Sequence, residues 1–318
     1  MLPKYFIFDM DETLAELYSV YYFIATLKND EEMPESLKIG LDNAYKIFVE
    51  KVLNKEKSNE PLGILRPGIL EIMKSLSNLQ RQGKIKNVVI YSNNGHLDSL
   101  EFIKDLIHLY IKNDDLIKEC IHWYHPLRKE EINGQPGAAN KTWNVLKNIL
   151  VKGNCIADPE LKAENVYFFD DLDHTDLKRN LGINYYQVPG YNFKASLNRL
   201  SQIFKESTEN INKNDMEILK NIVISRFGKQ NNTYNAYNVA NAYNVVDEII
   251  DTFKENTKGT MGDNVYPPSG PDAGIKMMLQ AVEAVDRVKS VRGGKRKFSL
   301  TRKRKMKKSR AKTRVRKN

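Results

Sequence analysis

The sequence predicts an α/β fold, an open parallel sheet with helices on both faces. Three runs predict it: "KYFIFD" (4–9), "NVVIYS" (87–92) and "NVYFFDD" (165–171). Each is short, β-branched or aromatic, and apolar on both faces, as strands covered from both sides must be. Helical periodicity over 69–79, 97–111 and 142–150 alternates with them, and strand-helix alternation argues for parallel pairing. "NYYQV" (184–188) reads as a further strand.

Between the first strand and "LRPG" (65–68), "LAELYSVYYFIATL" and "PESLKIGLDNAYKIFVEKVL" read as two helices joined by "KNDEEM". A crossover needs only one helix, so this stretch, about 15–64, reads as an inserted helical cap. The core, with this insert, then spans 1–204. Beyond it, 205–258 is an Asn-rich, partly helical extension in which NAYNV occurs twice, too few copies for a solenoid. Gly and Pro make 259–274 a flexible linker. A short amphipathic helix (275–291) and a basic tail (292–318) follow.

The formal charge of +10 has to be divided before it means anything. Residues 292–318 hold 15 Lys/Arg and no acid, leaving 35 basic and 40 acidic residues elsewhere, a net of −5. The chain is an acidic body with a basic tail, and a block of like charge is expected to be disordered. Two cysteines, Cys120 and Cys155, are too few for a disulfide framework and point to a reducing compartment. No leader or membrane-spanning run is apparent, so the expected setting is intracellular, cytoplasmic or nuclear, or a virion.

The run into "FDMDETL" raises the chemical question, because a buried strand ends in Asp9, Asp11 and Glu12. Ligands in open α/β sheets sit beyond the carboxyl ends of the strands. "FFDDLDHTD" places Asp170 and Asp171 at the corresponding end of another strand. Four carboxylates in one crevice repel unless a cation lies among them. Oxygen ligands without His or Cys suit Mg²⁺, which keeps waters and accepts phosphate oxygens.

These residues resemble the haloacid-dehalogenase-like (HAD) phosphohydrolases. The D-x-D-x-T-L of Asp9, Asp11, Thr13 and Leu14 is similar to that superfamily's first motif, and Ser92 in "VVIYSNN" to its second. Lys141 in "ANKTWNVL" is similar to the third and the Asp170–Asp171 pair to the fourth. The resemblance covers roughly 4–200 and implies a Rossmann-like sheet and a phosphomonoesterase. Asp9 would be the nucleophile, forming an aspartyl-phosphate, and Asp11 the general acid and base. Asp9, the Asp11 backbone carbonyl and Asp171 would hold Mg²⁺, with Asp170 orienting them. Ser92 and N–H groups at Asn93 would bind phosphoryl oxygens, and Lys141 would offset charge on Asp9. "DMDETL", "LRPGILEIM" and the Asp pair also resemble the NLI-interacting-factor and C-terminal-domain phosphatases, although the helical insert departs from them. Lys141 lies 29 residues before Asp170, so Lys129 and Lys162 stay open as the motif-three lysine.

Plainer readings stand beside these. An acidic turn after a strand can be a solvated loop, Ser92 alone means little, and Lys141 can simply start a helix. Cys120, His122 and His125 in "CIHWYHP" invite a zinc reading, but no further Cys or His pair is spaced to help. A strand or loop with a half-buried Trp is the alternative. His174 either touches substrate or lies on the surface. Cap residues would select the substrate, with Tyr18, Tyr21, Tyr22 and Tyr45 to choose among. The tail can bind nucleic acid without sequence preference, address the chain to a nucleus, or be solvated. The Asn- and Lys-rich body with its basic tail looks like proteins of large DNA viruses. The expected substrate is a phosphoprotein or small molecule. The rivals are a nucleic-acid 3′-phosphatase and a non-catalytic nucleic-acid-binding or packaging protein.

Overall fold

β1 (Lys4–Phe8) buries side chains on both faces: Tyr5 and Ile7 belong to one apolar cluster, Phe6 and Phe8 to another. That is why its sequence shows no polar alternation. It is the middle strand of a five-stranded, all-parallel sheet in the order β3-β2-β1-β4-β5. The others are β2 (Ile85–Tyr91), β3 (Ile117–Ile121), β4 (Val166–Asp170) and β5 (Tyr185–Gln187). Ile7 stands opposite Val89 of β2 and Phe168 of β4. The computed structural model describes residues 4–28, 33–126, 128, 141–152, 161–227, 245–256 and 272–287. The basic tail, the Asn-rich stretch 228–244, most of the linker, Lys129 and Cys155 lie outside them.

The chain runs outward from β1 to β3, then crosses back to β4 and continues outward to β5. Crossovers between parallel strands are right-handed, so reversing direction moves the connecting helices to the opposite face. α3 (Ile69–Arg81) and α4 (Leu97–Ile111) accordingly share a core with Phe6, Phe8, Val88 and Ile90. α5 (Trp143–Lys152) and α6 (Thr175–Leu181) pack with Tyr5, Ile7, Val89 and Phe168 on the other side. The reversal also opens a crevice between the carboxyl ends of β1 and β4, the usual ligand position in such sheets.

The insert contains α1 (Tyr21–Leu27) and α2 (Glu35–Glu56), and it is continuous with the α3–α4 face. α7 (Leu197–Thr208), α8 (Lys213–Phe227), α9 (Val245–Asn256) and α10 (273–287) join the same cluster. Phe23 of α1 has ring centroids 6.2 Å from Phe48 of α2, 5.5 Å from Phe204 of α7 and 5.1 Å from Phe253 of α9. The apolar spacing predicts the first insert helix from residue 14, yet it begins at Tyr21. The backbone of the preceding residues is taken by a different partner: Glu16 N donates to Ile64 O at 2.8 Å and Arg66 N to Leu14 O at 2.9 Å. Once these groups bridge to 64–66 they are not available to a helix.

α10 is docked through its first turn. Asp272 caps it, accepting from Ile275 N at 2.8 Å, and its other oxygen lies 3.5 Å from Arg66 Nε. Arg66 is fully buried and donates from Nη2 to Glu12 O at 2.7 Å and Pro189 O at 2.5 Å. A Cβ at Gly274 would fall 1.9 Å from Arg66 Nη1, so a side chain there would force the guanidinium to move. Asp272→Ala removes a helix cap and the carboxylate facing a buried guanidinium, so it should cost about 1–3 kcal/mol. Urea unfolding reads this, and an unchanged midpoint would mean that α10 does not depend on the contact.

Candidate active site

The site begins one residue past the strand ends. Asp9 N still donates to Phe169 O at 2.8 Å and Ser92 N to Ile121 O at 2.9 Å. The main chain at both residues is therefore held in the sheet while the side chains stand at its edge. Beyond Asp9 the chain winds tightly: Thr13, Leu14 and Ala15 N–H groups all donate to Met10 O, at 3.2, 2.9 and 3.1 Å. Glu12 takes φ of 57°, an uncommon conformation for a non-glycine residue, and its carbonyl accepts from both Arg66 and Tyr191 N.

Three carboxylates, Asp9, Asp170 and Asp171, place ligand atoms within 4.8 Å of one another. Asp9 and Asp170 are buried and Asp171 is half-buried. Lys141, itself buried, donates to Asp9 Oδ1 at 2.5 Å and to Asp170 Oδ2 at 2.7 Å. Its aliphatic stem brings the ammonium over the Tyr91 and Phe168 rings, 5.4 and 5.7 Å from their centroids. Asp170 also accepts from Leu172 N on Oδ1 at 2.9 Å, and His174 Nε2 lies 3.2 Å from Oδ2. Asp171 receives the Thr13 hydroxyl at 3.4 Å. The Asp11 carboxylate is directed elsewhere, to Asn94 Nδ2 at 3.2 Å and Ser92 Oγ at 3.3 Å.

One ammonium cannot offset four acids, and the titration shifts express that. Burial, aided by Asp170 and Asp11 and opposed by Lys141, pushes Asp9 up to about 7. Burial also raises Asp11, against the hydrogen bonds from Asn94 and Ser92, and raises Asp171 with help from Asp170. Burial by itself would lower Lys141, but Asp9 and Asp170 overturn it and hold the ammonium charged. Burial likewise works against ionised Asp170, but His174 and Lys141 bring it below the usual carboxylate range. The donors gathered here are carboxylate oxygens, and Asp9, Asp170 and Asp171 lie close enough together that they could hold a cation.

Comparison with protein-family models, with curated proteins and with solved structures gave no match. Function has to be read from the site itself.

Of the residues singled out in the sequence, the fold brings Asp9, Asp11, Thr13, Ser92, Lys141, Asp170 and Asp171 into one connected set, with Asn93 in the adjoining turn. Lys162 is exposed just before β4, at the opposite end of that strand from Asp170. Cys120 is buried as a free thiol, and the His122 and His125 rings meet edge-on at 6.0 Å. Neither histidine joins a group of three candidate metal ligands among the described residues. His174 is buried behind Asp170 rather than lying at the surface. Among the four tyrosines, Tyr21 is the one beside the loop after β2, its ring 4.4 Å from His96. Tyr22 packs on Phe227 and Phe253, Tyr45 donates to Asp105, and Tyr18 is exposed. Sequence reading missed Asn94 and Arg128. Asn94 stands in "SNN" beside the predicted Asn93, so the signal was one residue away; Arg128 carried none.

No helix among the described residues is long and apolar enough to cross a membrane.

Proposed function

We propose that this protein is a Mg²⁺-dependent phosphatase of the HAD type, hydrolysing a phosphomonoester through an aspartyl-phosphate. The observation that carries the reading is Lys141 bridging Asp9 and Asp170 in the crevice between β1 and β4, with Asp171 alongside. The Asp9 carboxylate would attack phosphorus and the P–O bond to the leaving group would break. Asp11, whose carboxyl burial holds above the usual range, would give its proton to the departing oxygen. In the second half Asp11 would take a proton from water as that water attacks phosphorus, releasing inorganic phosphate and regenerating Asp9.

Ser92 and the Asn93 N–H would bind phosphoryl oxygens, and Lys141 would offset charge on Asp9 and the transferring group. Asp9, Asp171 and the Asp11 backbone carbonyl would hold Mg²⁺, which supplies charge neutralisation for the phosphoryl oxygens. Asp170, bonded to Lys141 and Leu172 N, would help to orient these ligands.

Metal binding has a sign that can be checked without substrate. A carboxyl group raised from 3.8 to about 7, as Asp9 is, contributes stability that is full below its unfolded value and lost as pH rises through 7. Asp11 and Asp171 shift the same way. Mg²⁺ relieves the repulsion in the ionised state. Adding it to chelator-treated protein should therefore raise Tm by several degrees at pH 8 and by much less at pH 5. Equal shifts at both values would argue against a metal among these carboxylates.

The first test is phosphate release from an aryl phosphate with and without Mg²⁺. The 15 basic residues of 292–318 favour a second substrate class, phosphorylated nucleic-acid ends. Deleting that tail should leave turnover of a small or protein substrate intact and weaken a nucleic-acid substrate, most visibly at low salt.

A further inference from the structure

Among the described residues two arginines are fully buried, Arg66 and Arg128. Arg128 serves the loop after β2, donating to Ser92 O at 2.7 Å. Arg66 joins three segments that are far apart in the chain. Nη2 donates to Glu12 O at 2.7 Å and to Pro189 O at 2.5 Å, and Nε faces Asp272 Oδ2 at 3.5 Å. The guanidinium carbon stands 5.6 Å from the centroid of the Tyr191 ring. Glu12 lies in the turn after β1, and Pro189 and Tyr191 lie in the loop after β5, with β4 between those two strands in the sheet. One NH₂ group thus ties together the loops on either side of the strand that leads to Asp171. Burying an arginine is costly where an apolar side chain would fill the same space, and Arg66 has no part in the reaction as set out above.

The turn held in this way carries Asp11. Glu12 N donates to Ala15 O at 2.9 Å, and the Glu12 carbonyl accepts from Tyr191 N at 2.7 Å as well as from Arg66. Both ends of Glu12 are tied while its φ is 57°. A non-glycine residue keeps such a conformation only where its surroundings over-determine it. On one side of Glu12 the Asp11 carboxylate meets Asn94 Nδ2 and Ser92 Oγ, at 3.2 and 3.3 Å. On the other the Thr13 hydroxyl meets Asp171 at 3.4 Å. These bonds are already long, so a small rotation at Glu12 is enough to release Asp11 from its partners.

We propose that Arg66 is a positioning residue: by clamping the Glu12 carbonyl to the loop after β5 it sets the turn that carries Asp11, and with it the place of the general acid. This rests on the phosphatase reading and adds a residue to it. A displacement of about 1 Å, caused by a change outside the reacting groups, can cost about 10²-fold in rate.

The test uses full-length, Mg²⁺-saturated Arg66→Met and Arg66→Lys beside wild type, each checked for a cooperative thermal transition. Arg66→Met removes every donor, and Arg66→Lys keeps the charge without the planar fork. Two substrates separate a misplaced acid from a loss of folded protein. The oxygen of phenyl phosphate needs a proton as it leaves, whereas dinitrophenyl phosphate releases a stable anion. Both variants should lose about 10²-fold in kcat/KM for phenyl phosphate and about threefold or less for dinitrophenyl phosphate. A mere loss of folded protein would lower the two alike. If neither Arg66 variant folds, Asp272→Asn loosens the guanidinium from its exposed side and should show the same selective loss at about threefold. Folded variants whose two kcat/KM values fall in parallel, or both stay unchanged, in a protein whose turnover depends on Asp9, would overturn the role of Arg66 and leave the phosphatase reading standing. Absence of Asp9-dependent turnover of either substrate in the wild type would remove both.

Discussion

Asp9→Asn should lower Mg²⁺-dependent hydrolysis of an aryl phosphate by about 10⁴-fold or more, since losing a nucleophile costs far more than losing a binding contact. The same change should leave the metal-free protein at least as stable as wild type at pH 8. Asp9 is raised to about 7 by burial and by its acidic neighbours. The ionised carboxylate therefore costs the folded state on the order of a few kcal/mol above that pH, a cost the amide does not carry. Lys141 keeps Asp170 as a partner and can still donate to the amide oxygen. An inactive protein with an unchanged or higher Tm separates lost chemistry from lost folding. A clear drop in stability would mean that ionised Asp9 holds the crevice together, contrary to the direction of its shift.

Lys141→Met should have the largest effect on stability. It keeps the length of the side chain and removes the one ammonium among the described residues that contacts both Asp9 and Asp170. Breaking a buried pair by deleting one partner costs about 3–5 kcal/mol, because the remaining charge stays buried. That corresponds to a fall in Tm of roughly 10 °C for a chain of this size. The sign with pH follows from the carboxylates. Without the ammonium their pKa values rise further, so the loss is small near pH 5, where they can protonate, and largest at pH 8. Mg²⁺ should recover part of the stability but not the turnover. Urea midpoints at the two pH values are the measurement, and a loss independent of pH would show that Lys141 contributes packing rather than charge.

The fold was legible wherever both faces of a strand are buried. Tyr5, Ile7, Phe6 and Phe8 all lie inside, so β1 reads as one apolar run, and the same is true of 88–91 in β2 and 166–169 in β4. β3 was harder because "IKECI" places exposed Lys118 and half-buried Glu119 in an edge strand with one neighbour. The stretch Leu14–Val20 looks helical by spacing, yet a bridge to 64–66 decides its conformation, and that partner lies some fifty residues away. The site follows the same rule. Asp9, Ser92 and Asp170 were visible because each directly ends an apolar run. His174 was seen beside the Asp pair, but its burial was not, because Tyr185 of β5 supplies the hydroxyl that accompanies its backbone. Arg128 and Arg66 act through backbone carbonyls, and carbonyl acceptors leave no trace in a sequence.

In the proposed reaction phosphate passes through Asp9. Mixing the Mg²⁺-loaded protein with excess substrate, quenching in acid within the first turnover and mapping peptides by mass tests it directly. One phosphoryl group is expected on the peptide that carries Asp9, absent from Asp9→Asn and discharged when the quench is delayed until substrate is exhausted. Turnover with no phosphoryl group on that peptide, or with the group on another residue, would contradict it.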